Sequence, residues 1–255
     1  MAVAQKLRCR VERILNHGDH VYTVDLQPER LAPRFRPGQF LHLALDEYDP
    51  SGFWPESRVF SMANSPGERD RVRISYSVRG RFTARMEQEL EEERWVWVKL
   101  PYGEFVIDDS KDVVMFAGGT GITAFTAFLS HLGPDCLRRM YLVYGARSKS
   151  LLIYRDLVDK CLHIVPRFHA TYFLEDAAGS KDKGPTADAK SGHAASVDVW
   201  ELPGRITVSA VWSSIREPAG VNFYISGPPQ MLRTISQELR ERGISDESIR
   251  IDAWE

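Results

Sequence analysis

Cysteine is scarce in this sequence, which has three thiols, Cys9, Cys136 and Cys161, among 255 residues. They lie too far apart to form a CxxC pair or a four-thiolate cluster. A zinc ribbon and a cysteine-ligated iron–sulfur centre are therefore excluded, and no metal site is predicted. Because sparse cysteine without a signal-peptide pattern is typical of a reducing compartment, a cytoplasmic location is expected.

An excess of charge is also missing. The chain carries 33 basic and 35 acidic residues, a formal charge of −2. Without a global positive field, the protein is not expected to bind nucleic acid. Apolar residues make up 43% and charged residues 27% of the sequence, which indicates a globular protein, and the length suits two domains.

A convincing membrane span is lacking as well. Residues 113–134 contain no Asp, Glu, Lys or Arg and approach the length of a span. Glycine and threonine interrupt the first half of this run, which indicates a buried strand, a tight turn and a helix start. No membrane span is therefore predicted.

Up to residue 108 the sequence alternates between apolar and polar residues with period two. This pattern predicts half-buried strands in an antiparallel sandwich or small barrel. One helix is predicted here, with Thr83 as its N-cap and Leu90 near its end. The clearest alternating runs are 7–12, 41–45, 72–78 and 95–100.

From residue 109 onwards, short continuous apolar runs alternate with helical stretches, which is typical of a parallel α/β domain. The polar stretch 175–198 is predicted as a surface loop. Two domains are thus expected, residues 1–108 and residues 109–255. The predicted strands are 113–116, 141–144, 170–174, 221–225 and 249–253, and the predicted helices are 122–132, 151–161 and 231–242.

A glycine-rich turn directly follows the first apolar run of the second half and precedes a helix. Glycine lets the backbone approach a pyrophosphate, and the unsatisfied N–H groups of a helix start attract that anion. Because the spacing is not G-x-G-x-x-G, a strand-to-helix turn without a ligand explains the motif equally well on its own. The candidate residues are Gly118, Gly119, Thr120, Gly121, Ile122 and Thr123.

Four further motifs follow the order found in the ferredoxin-NADP reductase family. Residues 58–64, RVFSMAN, resemble its R-x-Y-S flavin motif, and residues 80–83, GRFT, resemble its G-x-x-[ST] turn. Residues 101–105, PYGEF, resemble the G-P-x-G-x-F motif, and residues 224–231, YISGPPQM, resemble the nicotinamide-side C-G-P-P-P-M motif. The resemblance covers nearly the whole chain and implies a flavin-binding antiparallel β-barrel followed by an NAD(P)-binding α/β domain.

On the flavin side, the resemblance implies that Arg58 and the turn at Gly80 and Thr83 hold the FAD diphosphate. Arginine suits this role because it offers a planar, permanently charged fork. Phe60 replaces the usual tyrosine against the flavin ring, and Ser61 would lie near flavin N5. Without the family motifs, a surface ion pair would explain Arg58 and a helix cap would explain Thr83. The other flavin-side candidates are Val59, Met62, Phe82 and Trp254.

On the nicotinamide side, Ser226 stands where the family has a cysteine beside the hydride-transfer contact. By the same resemblance, Asp252 would relay a proton through Ser61. The predicted catalytic residues are therefore Ser61, Ser226 and Asp252. The associated turn contributes Gly227, Pro228 and Met231.

No carboxylate follows the second predicted strand of the second half, where Arg147 and Lys149 stand instead. These cations favour the 2′-phosphate of NADPH, with NADH as the alternative. A solvated loop face is the competing explanation. Tyr154 matches a family position that packs on adenine.

The expected reaction oxidises NADPH and stores two electrons on FAD. Because the chain has no cysteine set for an attached iron–sulfur module, the acceptor is expected to be separate: ferredoxin, flavodoxin or free flavin. Two alternatives stay open. One is an NAD(P)H:flavin reductase that uses free flavin as substrate, and the other is a non-catalytic nucleotide-binding interaction module, motivated by Phe60 and Ser226.

Overall fold

Residues 3–108, 110–176 and 200–253, which the computed structural model describes, contain two six-stranded sheets. Every strand pair of the first sheet is antiparallel, in the order β4-β3-β6-β1-β2-β5. Its strands are β1 (Gln5–Gly18), β2 (Val21–Pro28), β3 (Phe40–Ala44), β4 (Ser57–Ser61), β5 (Val72–Ser77) and β6 (Trp95–Tyr102).

The first sheet curls into a nearly closed barrel. Just beyond β4, the backbone N–H of Ala63 donates to the carbonyl of Arg73 in β5 over 2.8 Å, so the two edge strands meet. The alternation seen in the sequence explains the barrel core: in β6, Val96, Val98 and Leu100 are fully buried and the residues between them are not. The predicted antiparallel barrel is confirmed.

The helix of the first half, α1 (Arg81–Glu89), has Gly80 as its N-cap. Thr83 is therefore the third helical residue, and its Oγ1 accepts hydrogen bonds from the backbone N–H groups of Gly80 (3.1 Å) and Arg79 (2.9 Å). The prediction of Thr83 as the N-cap is wrong, because Gly80 holds that position. The Thr83 hydroxyl lies one turn into the helix and accepts hydrogen bonds from N–H groups that precede it.

The second sheet is parallel throughout, in the order β10-β9-β8-β7-β11-β12. All the predicted strands of this half are present. Its strands are β7 (Asp112–Gly118), β8 (Met140–Ala146), β9 (Phe168–Leu174), β10 (Trp200–Pro203), β11 (Val221–Ser226) and β12 (Ile249–Asp252), and its helices are α2 (Thr123–Leu129), α3 (Arg155–Ile164), α4 (Val208–Val211) and α5 (Pro229–Glu241).

Two short elements of this half were not predicted, the edge strand β10 and the helix α4. The sequence of β10, Trp-Glu-Leu-Pro, is only four residues long and ends in a proline, which strands tolerate at a sheet edge, so it gives little signal for a strand. Apart from Glu175 and Asp176, the predicted loop 175–198 lies outside the described residues. No helix in the described ranges has the length and apolar character that crossing a bilayer requires.

Strand β7 pairs with β8 on one side and with β11 on the other. Connections therefore leave this point of the sheet in opposite directions, and a crevice opens at the carboxyl ends of β7 and β11. The glycine-rich turn and the 226–231 motif lie at this crevice.

Polar and aromatic contacts join the two halves. The hydroxyls of Tyr154 and Ser75 lie 2.8 Å apart, and the backbone N–H of Asp108 donates to the Tyr224 hydroxyl over 2.8 Å. Phe105 packs edge-on against Tyr224, with ring centroids 5.6 Å apart. As a result, β5 lies beside the glycine-rich turn.

Candidate functional site

The glycine-rich turn after β7 is shaped by close packing on one side and open space on the other. A Cβ on Gly118 would lie 2.5 Å from Met231 Sδ, and one on Gly121 would lie 2.4 Å from the Ser226 carbonyl oxygen. A Cβ on Gly119 would meet nothing within 4 Å, but its φ of +54° favours glycine. The turn therefore packs on β11 and keeps its outer side accessible.

A cavity of about 530 Å³ lies on the accessible side of this turn. That volume is within the range of small-molecule and cofactor sites. Arg79, Arg147 and Arg205 line it together with the carboxylate of Glu175, so its rim is mainly cationic. Apolar side chains of the second half form much of the remaining wall.

A second cavity, of about 270 Å³, adjoins the first: Ser77, Arg79, Gly118, Thr120 and Pro228 line both. The smaller cavity takes walls from the barrel and from the parallel sheet. The structure thus provides one continuous cleft between the two halves of the chain.

The three predicted catalytic residues meet in the smaller cavity. Ser61 ends β4, Ser226 ends β11 and Asp252 ends β12, and all three line this space. They are nearly inaccessible, with Ser226 and Asp252 each 3% exposed. Three strand ends that are far apart in sequence therefore place polar groups at one point.

Ser226 and Asp252 face each other in the parallel register of β11 and β12. Ser226 Oγ donates a hydrogen bond of 2.8 Å to Asp252 Oδ2. The structure therefore links Asp252 to Ser226, whereas the resemblance associates Asp252 with Ser61. Sequence reasoning missed this contact because it depends on the strand register.

The barrel wall of the smaller cavity is aromatic. Phe60 and Tyr76 line it, with their rings edge to face and their centroids 6.2 Å apart. Tyr76 in turn stacks on Tyr22 at 5.4 Å. Burial, with the neighbouring Tyr22 and Glu87, raises the pKa of Tyr76, so this hydroxyl stays neutral.

Arg58 lines neither cavity and lies on the outer surface beside α1. Its guanidinium is 5.3 Å from the centre of the Phe82 ring and donates to Glu56 Oε1 over 3.3 Å. The surface ion pair considered as an alternative is therefore present. The first turn of α1 is open here, because a Cβ on Gly80 would meet nothing within 4 Å.

Of the three predicted adenine-side residues, one lines the large cavity and two do not. Arg147 lines the large cavity and is 59% exposed, with its Nη1 3.9 Å from Asp19 Oδ2. Lys149 does not line it and instead forms a 3.1 Å ion pair with Glu201 of β10. Tyr154 is likewise directed to Ser75 at the junction of the two halves.

The remaining candidates occupy several places. Val59, Gly121 and Thr123 line the smaller cavity, together with Gly227, while Met231 lines the larger one. Met62, Phe82 and Ile122 are buried in the apolar cores, and Trp254 lies outside the described residues.

Several lining residues were missed from the sequence, among them Arg79, Arg205 and Thr207. Arg79 immediately precedes the GRFT motif, which was its available signal, whereas the other two follow the unpredicted strand β10. Among the residues that the structure describes, no group of three or more His, Cys, Asp and Glu could hold a metal ion.

Comparison with known proteins gives a consistent pattern. Residues 115–237 match the family model of the oxidoreductase NAD-binding domain. Reductase component 2 of terephthalate 1,2-dioxygenase from Comamonas sp is 30% identical over 168 residues, 63% of this chain and 48% of that protein. The flavohemoprotein of Bacillus subtilis is 23% identical over 235 residues, 90% of this chain and 54% of that protein. The chain thus spans about half the length of these curated relatives.

Solved structures share the fold over nearly the whole chain. A ferredoxin NADP+ reductase from Neisseria gonorrhoeae with bound FAD and NADP superposes with a TM-score of 0.72 at 17% identity, covering 99% of both chains. The ferredoxin reductase in carbazole 1,9a-dioxygenase gives a TM-score of 0.75 at 18% identity, covering 98% of this chain and 69% of the other. At these identities the likeness establishes the two-domain fold.

Proposed function

We propose that the chain is an NADPH-dependent FAD reductase that delivers electrons to a separate acceptor; the match of residues 115–237 to the oxidoreductase NAD-binding domain and the fold shared with ferredoxin reductases support this proposal. Residues 1–108 would form the flavin domain and residues 109–255 the nucleotide domain. The observation that carries this proposal is the continuous cleft, because it unites the glycine-rich turn, the aromatic barrel wall and the Ser226–Asp252 pair.

The residues present fit a nicotinamide dinucleotide. The accessible side of Gly119 leaves room for a phosphate, whereas Gly118 and Gly121 allow the turn to pack tightly on β11. Arg147 and Arg79 line the same cavity and would supply positive charge to the phosphates. The cationic rim favours NADPH over NADH, because a 2′-phosphate adds negative charge there.

The residues also fit FAD. Phe60 offers an aromatic surface at the cleft, and Arg58 lies beside the open first turn of α1. These groups would hold the flavin ring and the diphosphate, respectively. When bound, FAD supplies a carrier that accepts two electrons from NADPH and releases them singly to the acceptor.

The buried Ser226–Asp252 pair would orient a ligand at the cleft. Because the Ser226 hydroxyl donates a hydrogen bond to Asp252, its oxygen can accept a hydrogen bond from a group in the cavity. Ser61 presents a second buried hydroxyl to the same space. All three residues are 7% exposed or less, so water has little access to their side chains.

The acceptor is proposed to be a ferredoxin, a flavodoxin or an oxygenase component. The names of the relatives support this range, since they include a dioxygenase reductase component and a ferredoxin reductase. The sparse cysteine of the chain supports a cytoplasmic site of action.

Gel filtration followed by a turnover assay tests the proposal. We expect the purified protein to retain FAD on the column and to oxidise NADPH with ferricyanide as acceptor, faster at low nucleotide concentration than with NADH. Absence of turnover with either nucleotide, with FAD added, would favour the non-catalytic module instead.

A flavin reductase is the second candidate, favoured by the exposed position of Arg58, whose side chain is 52% accessible and already paired with Glu56. A flavin whose diphosphate is held only at such a surface would exchange readily. A colourless protein that reduces added flavin with NADPH would identify this activity.

A further inference from the structure

One carboxylate oxygen bridges two arginines at the edge of the barrel. Glu56 Oε1 accepts hydrogen bonds from Arg58 Nη2 (3.3 Å) and Arg81 Nη2 (3.1 Å). Arg81 is the first residue of α1, whereas Glu56 and Arg58 belong to the segment that enters and forms β4. The bridge therefore brings together parts of the chain that are separate in sequence.

The same place has the properties of a phosphate site. Arg58 stands over Phe82, the second residue of α1, so its guanidinium lies at the start of this nine-residue helix. The first-turn N–H groups of a helix have no carbonyl partners within it and carry partial positive charge. An anion here would meet two guanidinium groups and the helix start, and Glu56 supplies such an anion from within the chain.

We propose that Glu56 is an internal competitor for the FAD diphosphate: its carboxylate occupies Arg58 and Arg81 when flavin is absent and must leave them when FAD binds. This inference rests on the proposed binding of FAD. Glu56 would thereby determine whether the protein keeps its flavin or exchanges it, the property that separates the two candidate functions.

The exposure of the cluster fits competition better than a structural role. The side chains of Glu56, Arg58 and Arg81 are 32%, 52% and 81% accessible. Exposed ion pairs contribute little to stability, so the carboxylate is readily displaced by a diphosphate, which binds arginine through several oxygens. The displaced carboxylate still repels the phosphates from nearby, and its charge therefore weakens FAD binding.

The test is a fluorescence titration of the full-length apoprotein with FAD and with riboflavin, which has the same ring without phosphate. We expect Glu56→Gln to lower the Kd for FAD by roughly two- to fivefold, the size expected for an exposed charge pair, and to slow FAD release. The Kd for riboflavin should stay unchanged. Glu47→Gln is the matched control, because Glu47 pairs with Arg8 elsewhere on the barrel at 2.7 Å.

An unchanged or higher Kd for FAD in Glu56→Gln would overturn the inference, as would equal tightening of riboflavin or the same effect from Glu47→Gln. In those outcomes the native protein still binds FAD, and the proposed function survives. If neither the native protein nor Glu56→Gln binds FAD, the proposed function and this inference fail together. If Glu56→Gln binds FAD and the native protein does not, the native carboxylate competes strongly enough to prevent FAD binding, which supports the inference.

Discussion

At the scale of single residues, two of the arginines assigned to a phosphate, Arg58 and Arg147, each have a carboxylate beside them. Arg58 is bonded to Glu56, and Arg147 lies 3.9 Å from Asp19. These two could be predicted, because Arg58 stands in the RVFSMAN motif and Arg147 follows the second predicted strand of the second half. Their acidic neighbours could not, because an ion pair between distant segments depends on how the chain folds.

Removal of Arg58 should weaken flavin binding. A charge-assisted hydrogen bond to a phosphate contributes about 1.5–3 kcal/mol, so we expect Arg58→Ala to raise the Kd for FAD roughly ten- to a hundredfold. Fluorescence titration measures this change. Arg8→Ala, which removes another exposed arginine of the barrel, serves as the control and should leave the Kd unchanged. Equal flavin content in both variants would contradict the role given to Arg58.

Removal of Arg147 should distinguish the two nicotinamide nucleotides. Because NADPH differs from NADH by the 2′-phosphate, we expect Arg147→Ala to raise the KM for NADPH about tenfold and to change the KM for NADH little. Lys149→Ala is the control, since Lys149 pairs with Glu201 and does not line the cavity. An equal rise in both KM values for Arg147→Ala would remove the 2′-phosphate assignment.

At the scale of elements, the site depends on strand ends and on the turn between β7 and α2. Sequence periodicity predicted β1, β3, β5 and β6 of the barrel and five strands of the parallel sheet, because alternation reflects one-sided burial and apolar runs reflect two-sided burial. It named neither β2 nor β4. It missed β10, whose charged and proline-containing sequence lies at a sheet edge, and it misplaced the start of α1. Because β10 was not predicted, neither the ion pair between Lys149 and Glu201 nor the position of Arg205 at the cavity could be predicted.

The close packing of the glycine-rich turn on β11 gives a prediction for this element. A Cβ on Gly121 would lie 2.4 Å from the Ser226 carbonyl oxygen. The oxygen is part of the backbone and the Cβ is attached directly to it, so the clash is relieved only if the backbone shifts. We expect Gly121→Ala to lower the free energy of unfolding by about 1–3 kcal/mol, as overpacking does, and to weaken NADPH binding. Urea unfolding and nucleotide titration measure the two effects. Gly133→Ala, where a Cβ meets nothing within 4 Å, should change neither.

At the scale of the whole molecule, the cleft exists only while the barrel and the parallel sheet stay together. The family motifs indicated a site shared by the two halves, but they gave no information about the contacts that hold the two halves together. Those contacts include Ser75 with Tyr154 and Asp108 with Tyr224. They join residues whose spacing in sequence carries no recognisable pattern, and one of them involves a tyrosine assigned to adenine.

Loss of the Tyr154 hydroxyl should therefore affect the cleft through the junction. Tyr154→Phe removes the 2.8 Å hydrogen bond to Ser75, and we expect the free energy of unfolding to fall by about 1 kcal/mol and the KM for NADPH to rise about twofold. The control is Tyr141→Phe, which removes a 2.7 Å bond to Thr171 within the second half. That variant should lose similar stability with an unchanged KM, and a parallel rise in KM would contradict the role of the junction.

The central place of β7 also affects how the protein is made. All six barrel strands are complete by residue 102, but β7 must wait for β11, which begins at residue 221. At a translation rate of ~5–20 residues per second, that delay is on the order of 5–20 s. During this interval all six barrel strands are present, whereas β7 exposes the unpaired backbone N–H and C=O groups of the edge that later pairs with β11. Chaperones would therefore be needed most while the second half of the chain is being synthesised.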